Sequence, residues 1–73
     1  MQISIEYCGM WNYYPKASSL KADLEKKFSD ISIKLIEGSN GVFEVEKDGN
    51  LIFSKKQVGR FPEHEEIFEK LNA

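Results

Sequence analysis

The chain has very little of what binds metals or cross-links proteins: one cysteine, Cys8, and one histidine, His64. A single cysteine excludes an internal disulfide framework. One thiol and one imidazole also fall short of the four protein ligands of a structural zinc site, so no metal or cofactor site is expected. Positive charge is not in excess. Ten Lys and Arg against twelve Asp and Glu leave a net charge of −2, without the basic footprint of a nucleic-acid binder. Lys55 and Lys56 are adjacent, but Glu63, Glu65 and Glu66 follow soon after, and both groups read as solvated, mixed-charge surface. No apolar run is long enough to span a bilayer. The first residues alternate in character and lack the charged-then-apolar pattern of a signal peptide. The expectation is a cytoplasmic protein that binds neither nucleic acid nor membrane.

What is present fits one small domain covering residues 1–73, with 41% hydrophobic and 30% charged residues. Ile3, Ile5 and Tyr7 alternate with Ser4 and Glu6, the period of a half-buried strand that ends at Cys8 and Gly9. Tyr13, Ala17, Leu20, Leu24 and Phe28 step by three and four, one face of a helix. Pro15 belongs in its first turn, and Asn12 is the expected cap. Ile31, Ile33 and Leu35 alternate again, followed by a Gly38-Ser39-Asn40-Gly41 loop, which lacks the lysine and following helix of a phosphate cradle. Residues 42–47 and 51–55 read as strands joined at Asp48-Gly49, a strong hairpin signal. Phe43 and Val45 are expected on one face, as are Leu51 and Phe53, with Val42 and Ile52 on the other. Pro62 opens a last helix whose first turn holds Glu63, Glu65 and Glu66 and whose apolar face is Ile67, Phe68 and Leu71. Phe61 is expected to pack back onto it.

The order β-α-β-β-β-α has its first two strands joined by a helix, which makes them parallel neighbours, and its last two as an antiparallel hairpin. The fold class is α/β, a thioredoxin-like domain with a mixed four-stranded sheet and two helices.

At the turn from first strand to first helix stands Tyr7-Cys8-Gly9-Met10-Trp11. This segment resembles the redox loop of the selenoprotein W-like family, part of the selenoprotein T/W/H group. The resemblance continues through Gly41-Val42-Phe43-Glu44-Val45, Asp48-Gly49-Asn50-Leu51-Ile52-Phe53-Ser54-Lys55-Lys56 and Gly59-Arg60-Phe61-Pro62. It implies a thiol/selenol-disulfide oxidoreductase type with a Cys-x-x-Cys or Cys-x-x-selenocysteine pair. Cys8 corresponds to the first redox residue. Trp11 stands at the second, where an indole forms neither a disulfide nor a selenenylsulfide. Selenocysteine is specified by UGA and tryptophan by UGG, and the chain alone leaves open whether Trp11 is the natural residue or a substitute.

Two readings of Cys8 follow. A thiol at a strand end before a helix N-terminus is partly exposed and activated, because helix amides stabilise a thiolate; the alternative is a buried apolar cysteine. The family mechanism has the second position attack an oxidised substrate and the first cysteine resolve the intermediate. With Cys8 alone, the chain reaches a mixed disulfide with glutathione or a protein partner but does not complete a two-thiol cycle. The rival function is a non-catalytic interaction module using the Cys8–Trp11 loop and the aromatics Trp11, Tyr13 and Tyr14. His64 reads as solvated among glutamates, and Ser18 and Ser19 lack a histidine partner.

Overall fold

The computed structural model describes residues 1–72. The elements are β1 (Gln2–Cys8), α1 (Tyr14–Lys27), β2 (Ser32–Gly38), β3 (Phe43–Lys47), β4 (Asn50–Ser54), α2 (Lys55–Val58) and α3 (His64–Asn72). The sheet order is β2-β1-β3-β4. β1 and β2 are parallel, β1 and β3 antiparallel, β3 and β4 antiparallel. This is the mixed four-stranded sheet of a thioredoxin-like domain.

Alternation decides which strand residues go inside. Ile3 and Ile5 face the core with Phe43, Val45 and Phe53, against Ala17, Leu20 and Leu24 of α1 and Ile67 and Leu71 of α3. The other sheet face carries Ser4, Glu6, Lys34, Glu44 and Glu46, none of them buried. Leu24, Ile5 and Ile67 have no exposed surface; a fully buried aliphatic side chain is worth about 1.5–3 kcal/mol.

The hairpin turns as its sequence demands. Asp48 and Gly49 both have positive φ, 50° and 86°, the mark of a type I′ turn. Asp48 also ties the turn to β1, accepting the Gln2 N–H on Oδ1 at 3.0 Å and donating its own N–H to the Gln2 carbonyl at 2.8 Å.

Four expectations need correcting. Asn12 does not cap α1: it takes a left-handed conformation in the preceding turn (φ 60°), and Tyr13 occupies the cap position with no side-chain bond. Leu51 does not share a face with Phe53. Val45 pairs with Phe53 but Glu46 pairs with Leu51, so a β-bulge skips Ile52 and turns Leu51 outward, 45% exposed. The described residues form three helices, because Lys55–Val58 makes one extra turn stopped by Gly59 in the left-handed region. Finally, α3 starts at His64, not Pro62. Glu63 caps it: its carbonyl accepts the Ile67 N–H, and the Glu66 carboxylate reaches back to the Glu63 N–H at 2.8 Å.

Candidate functional site

Cys8 is the last residue of β1, and both of its neighbours in the sheet are loop-bearing ends. It pairs with Gly38, the end of β2, and its N–H donates to the Val42 carbonyl just before β3, at 2.9 Å. From there the chain turns without helix. Asn12 N–H reaches the Gly9 carbonyl and Tyr13 N–H the Cys8 carbonyl. α1 begins at Tyr14, and the N–H that bonds the Cys8 carbonyl is that of its cap residue, Tyr13. The amide that does meet the thiol is that of Trp11, which donates its backbone N–H to Cys8 Sγ at 3.4 Å. The residue three along is thus directed at the cysteine by a main-chain bond that any residue but proline would make.

The two positions differ sharply in access. Cys8 has 0% exposure, whereas Trp11 is 58% and Met10 90% exposed. The expectation of a partly exposed Cys8 is therefore overturned. Strand alternation sets Cys8 with Ser4 and Glu6 on the polar side, but here the 9–12 turn and the segment ending at Val42 enclose it. Buried though it is, Cys8 lies apart from the main hydrophobic cluster.

Gly41 explains how the loop is held. Its φ is +73°, and a Cβ there would collide with Cζ3 and Cε3 of Trp11. The indole lies against bare backbone, which only glycine provides. The Glu37 side chain packs over Gly9 in the same way. The expected aromatic patch divides in two. Trp11 meets Tyr13 edge-on, with centroids 6.0 Å apart, while Tyr14 turns away to Tyr7 at 5.6 Å.

Phe61, packed against the core that includes Ile67 and Leu71 of α3, also lies edge-on to Tyr13 at 4.7 Å and to Phe43 at 5.3 Å, joining the 59–63 segment to the start of α1 and to β3. That segment is fixed by Arg60, whose guanidinium donates to both carboxylate oxygens of Glu66, at 2.6 and 3.2 Å. The Arg60 guanidinium, with help from the Glu63 N–H, pulls the Glu66 carboxyl down to about 2. His64 is not free among glutamates. Its Nδ1 is 2.5 Å from Asp23 Oδ2 on α1, a contact between residues 41 apart that ties α3 to α1. It does not belong to the Cys8 loop. Among the described residues no cluster of His, Cys, Asp and Glu is suited to a metal, and no helix is long and apolar enough to cross a membrane.

Sequence reasoning named both ends of the loop, Cys8 and Trp11, but not what holds them. Gly41 and Val42 were read as loop and strand residues rather than as supports of the loop, and the contacts of Phe61 with Tyr13 and Phe43 were not foreseen.

Residues 2–73 match the Rdx family. The chain belongs to that family. Mouse selenoprotein W is 35% identical over 74 residues, covering 97% of this chain and 84% of its own length. Bovine migration and invasion enhancer 1 is 30% identical over 71 residues, and the match spans 97% of this chain but only 62% of the bovine protein's length. The crystal structure of a selenoprotein W-related protein from Vibrio cholerae superposes with a TM-score of 0.89 at 30% identity, covering 97% of this chain and 91% of that one. A second crystal structure, of a Bordetella parapertussis protein, gives a TM-score of 0.93 at 25% identity, covering 97% and 92%. The family expected from the Tyr7–Trp11, 41–45, 48–56 and 59–62 segments and the fold expected from the order of elements are thereby shown.

Proposed function

We propose that this Rdx-family domain is a cytoplasmic redox scaffold of the selenoprotein W kind, in which position 11 is the attacking position and Cys8 the resolving one. The observation that supports this division is the contrast already described. Position 11 is exposed and position 8 is buried, and the backbone N–H of one donates to the sulfur of the other. An attacking sulfur must meet a bulky disulfide, whereas a resolving sulfur needs only to meet its neighbour. With Trp11 in place the attacking atom is missing. When the 9–12 turn opens, Cys8 alone, as its thiolate, attacks glutathione disulfide or a protein disulfide, forming a mixed disulfide and expelling one thiolate, and a second thiol from solution must release it.

The full cycle balances when a sulfur stands at position 11. Its thiolate attacks a substrate disulfide, one S–S bond forms, one breaks, and the departing thiolate takes a proton from water. Cys8 then attacks the mixed disulfide, giving up its own proton and releasing the second substrate thiol. The pair is left oxidised and the substrate reduced by two electrons. Two glutathione thiols then reduce the pair again and leave as glutathione disulfide.

The test is Trp11→Cys. It should form an internal disulfide under mild oxidation, seen as a loss of two mass units, and should reduce a model disulfide that the parent chain leaves nearly untouched. Failure to form that bond overturns the assignment of position 11. A second reading, a non-catalytic interaction module, is favoured by the exposure of Met10 and Trp11. It predicts a partner bound equally by the parent chain and by Cys8→Ser.

A further inference from the structure

The two edges of the sheet are finished differently. β4 is closed to further pairing. It has five residues, and a bulge interrupts its register with β3. Its Ile52 carbonyl already accepts from Lys70 Nζ at 2.6 Å, and the chain runs from Ser54 straight into α2. Short strands, bulges and lysines are the devices that keep a sheet edge from recruiting another strand. β2, at the other edge, has seven residues, no proline and an unbroken register with β1. Two bonds fix which of its backbone groups are used. Ser32 N–H donates to the Met1 carbonyl at 2.9 Å, and the Gly38 carbonyl accepts from Gly9 N–H at 3.3 Å. The N–H and C=O of one residue point to the same side of a strand, and successive residues alternate. Ser32, Lys34, Ile36 and Gly38 therefore bond inward to β1, while Ile33, Leu35 and Glu37 present theirs outward. Among the described residues no strand pairs with that outer side.

We propose that β2 is a dimerisation edge, on which β2 of a second copy of this chain pairs antiparallel about a two-fold axis at Leu35. The argument is self-complementarity. With the axis there, Leu35 meets Leu35 of the second copy and Ile33 meets its Glu37. All the outward N–H and C=O groups then fall in hydrogen-bonded pairs. An axis at Lys34 would set two lysines directly opposite, which is unfavourable, and one at Ile36 would push Ile33 beyond the end of the second strand. With the axis at Leu35, Lys34 lies opposite Ile36 of the second copy, a side chain 38% exposed in the single chain. Glu6 pairs with Ile36 in β1, so it is next in that row. Among the described residues Lys34 has no ion pair within its own copy. The one lysine that guards the edge thus meets an apolar side chain and, beyond it, a carboxylate. The pairing joins two four-stranded sheets into one. It goes beyond the redox reading and does not depend on it.

The test is sedimentation velocity of the parent chain from about 10 μM to about 1 mM, a range that reaches even weak specific pairing. A reductant is present throughout, so that no Cys8 disulfide contributes. The parent should move from monomer toward dimer as concentration rises. Ile36→Lys sets a second ammonium opposite Lys34 in both symmetric pairs and should weaken the dimer about tenfold or more. Adding Lys34→Glu turns both pairs into opposite charges and should recover it. Leu51→Lys, on the exposed side of β4, carries the same change in charge as Ile36→Lys and should leave the dimer intact. A second readout needs no variant: amide exchange at Ile33, Leu35 and Glu37 should be fast at the low concentration and slow at the high one, with no such change on β4. A parent that stays monomeric at about 1 mM overturns the proposal. So does equal weakening by Leu51→Lys, or no recovery in the double variant. Capture of a foreign extended peptide by a chain that does not self-associate also overturns it, since the edge would then belong to another protein.

Discussion

The β3–β4 turn and the 9–12 turn both carry the chain through left-handed residues, yet they are held by different physics. In the hairpin, Asp48 and Gly49 take positive φ where nothing within 4 Å approaches the Gly49 Cα on its open side. That turn is encoded by its own two residues, with Gln2 of β1 as its one distant anchor. In the 9–12 turn, Asn12 is left-handed too, but the turn is held by distant partners: the Val42 carbonyl on Cys8, the Gly41 backbone under Trp11, and Glu37 over Gly9. The first kind of turn is a folding instruction. The second has a geometry imposed by the rest of the fold.

The largest effect should strike both regions at once. Ile5 lies in the middle of β1 between β2 and β3 and has no exposed surface. Ile5→Ala should cost about 2–5 kcal/mol, the usual range for such truncations. Against a total of roughly 4–11 kcal/mol for a domain of this size, that is a large share, and chemical denaturation should show it.

A matched pair of glycine substitutions separates the two turns. Gly49→Ala adds a methyl in open space and should cost only the left-handed strain, about 1 kcal/mol. Gly41→Ala adds the same strain and also drives Trp11 off its seat, for about 2–4 kcal/mol in all. Adding Trp11→Ala should recover part of the Gly41→Ala loss and none of the Gly49→Ala loss. If the two glycine variants are equally destabilised, the indole does not rest on Gly41 in solution.

The same contrast governs what was legible. β1, α1, β2 and the hairpin were readable because short-range periodicity and the Asp48-Gly49 pair encode them. The bulge was not: Leu51 and Phe53 alternate correctly in sequence, and only pairing with Glu46 and Val45 shows that a residue is skipped. α2 has no buried residue, hence no apolar period to read. The burial of Cys8, the seat of Phe61 and the contact of His64 with Asp23 all depend on partners far along the chain. Position 11 was visible from the family pattern, while its exposure relative to Cys8 needed the fold.

The smallest effect concerns the strap that holds Phe61 beside the loop. The Glu66 carboxyl is lowered from the ordinary 4.5 to about 2 by the Arg60 guanidinium and the Glu63 N–H. Because the folded state holds the charged form, this contribution is present above pH 4.5 and lost as pH falls toward 2. Thermal melts of the parent should therefore lose stability over that window more steeply than those of Glu66→Gln, and the two curves should converge at the acid end. Parallel curves would remove Glu66 from the account.

The central claim is that position 11 is the open, attacking position and Cys8 the enclosed, resolving one. Its most direct measurement is competitive alkylation of fully reduced Trp11→Cys with limiting iodoacetamide, followed by peptide mapping. The account predicts that the label falls first on the sulfur introduced at position 11, with Cys8 modified at least about tenfold more slowly until denaturant is added, as burial requires. Labelling of Cys8 at an equal or greater rate in the folded protein would contradict it.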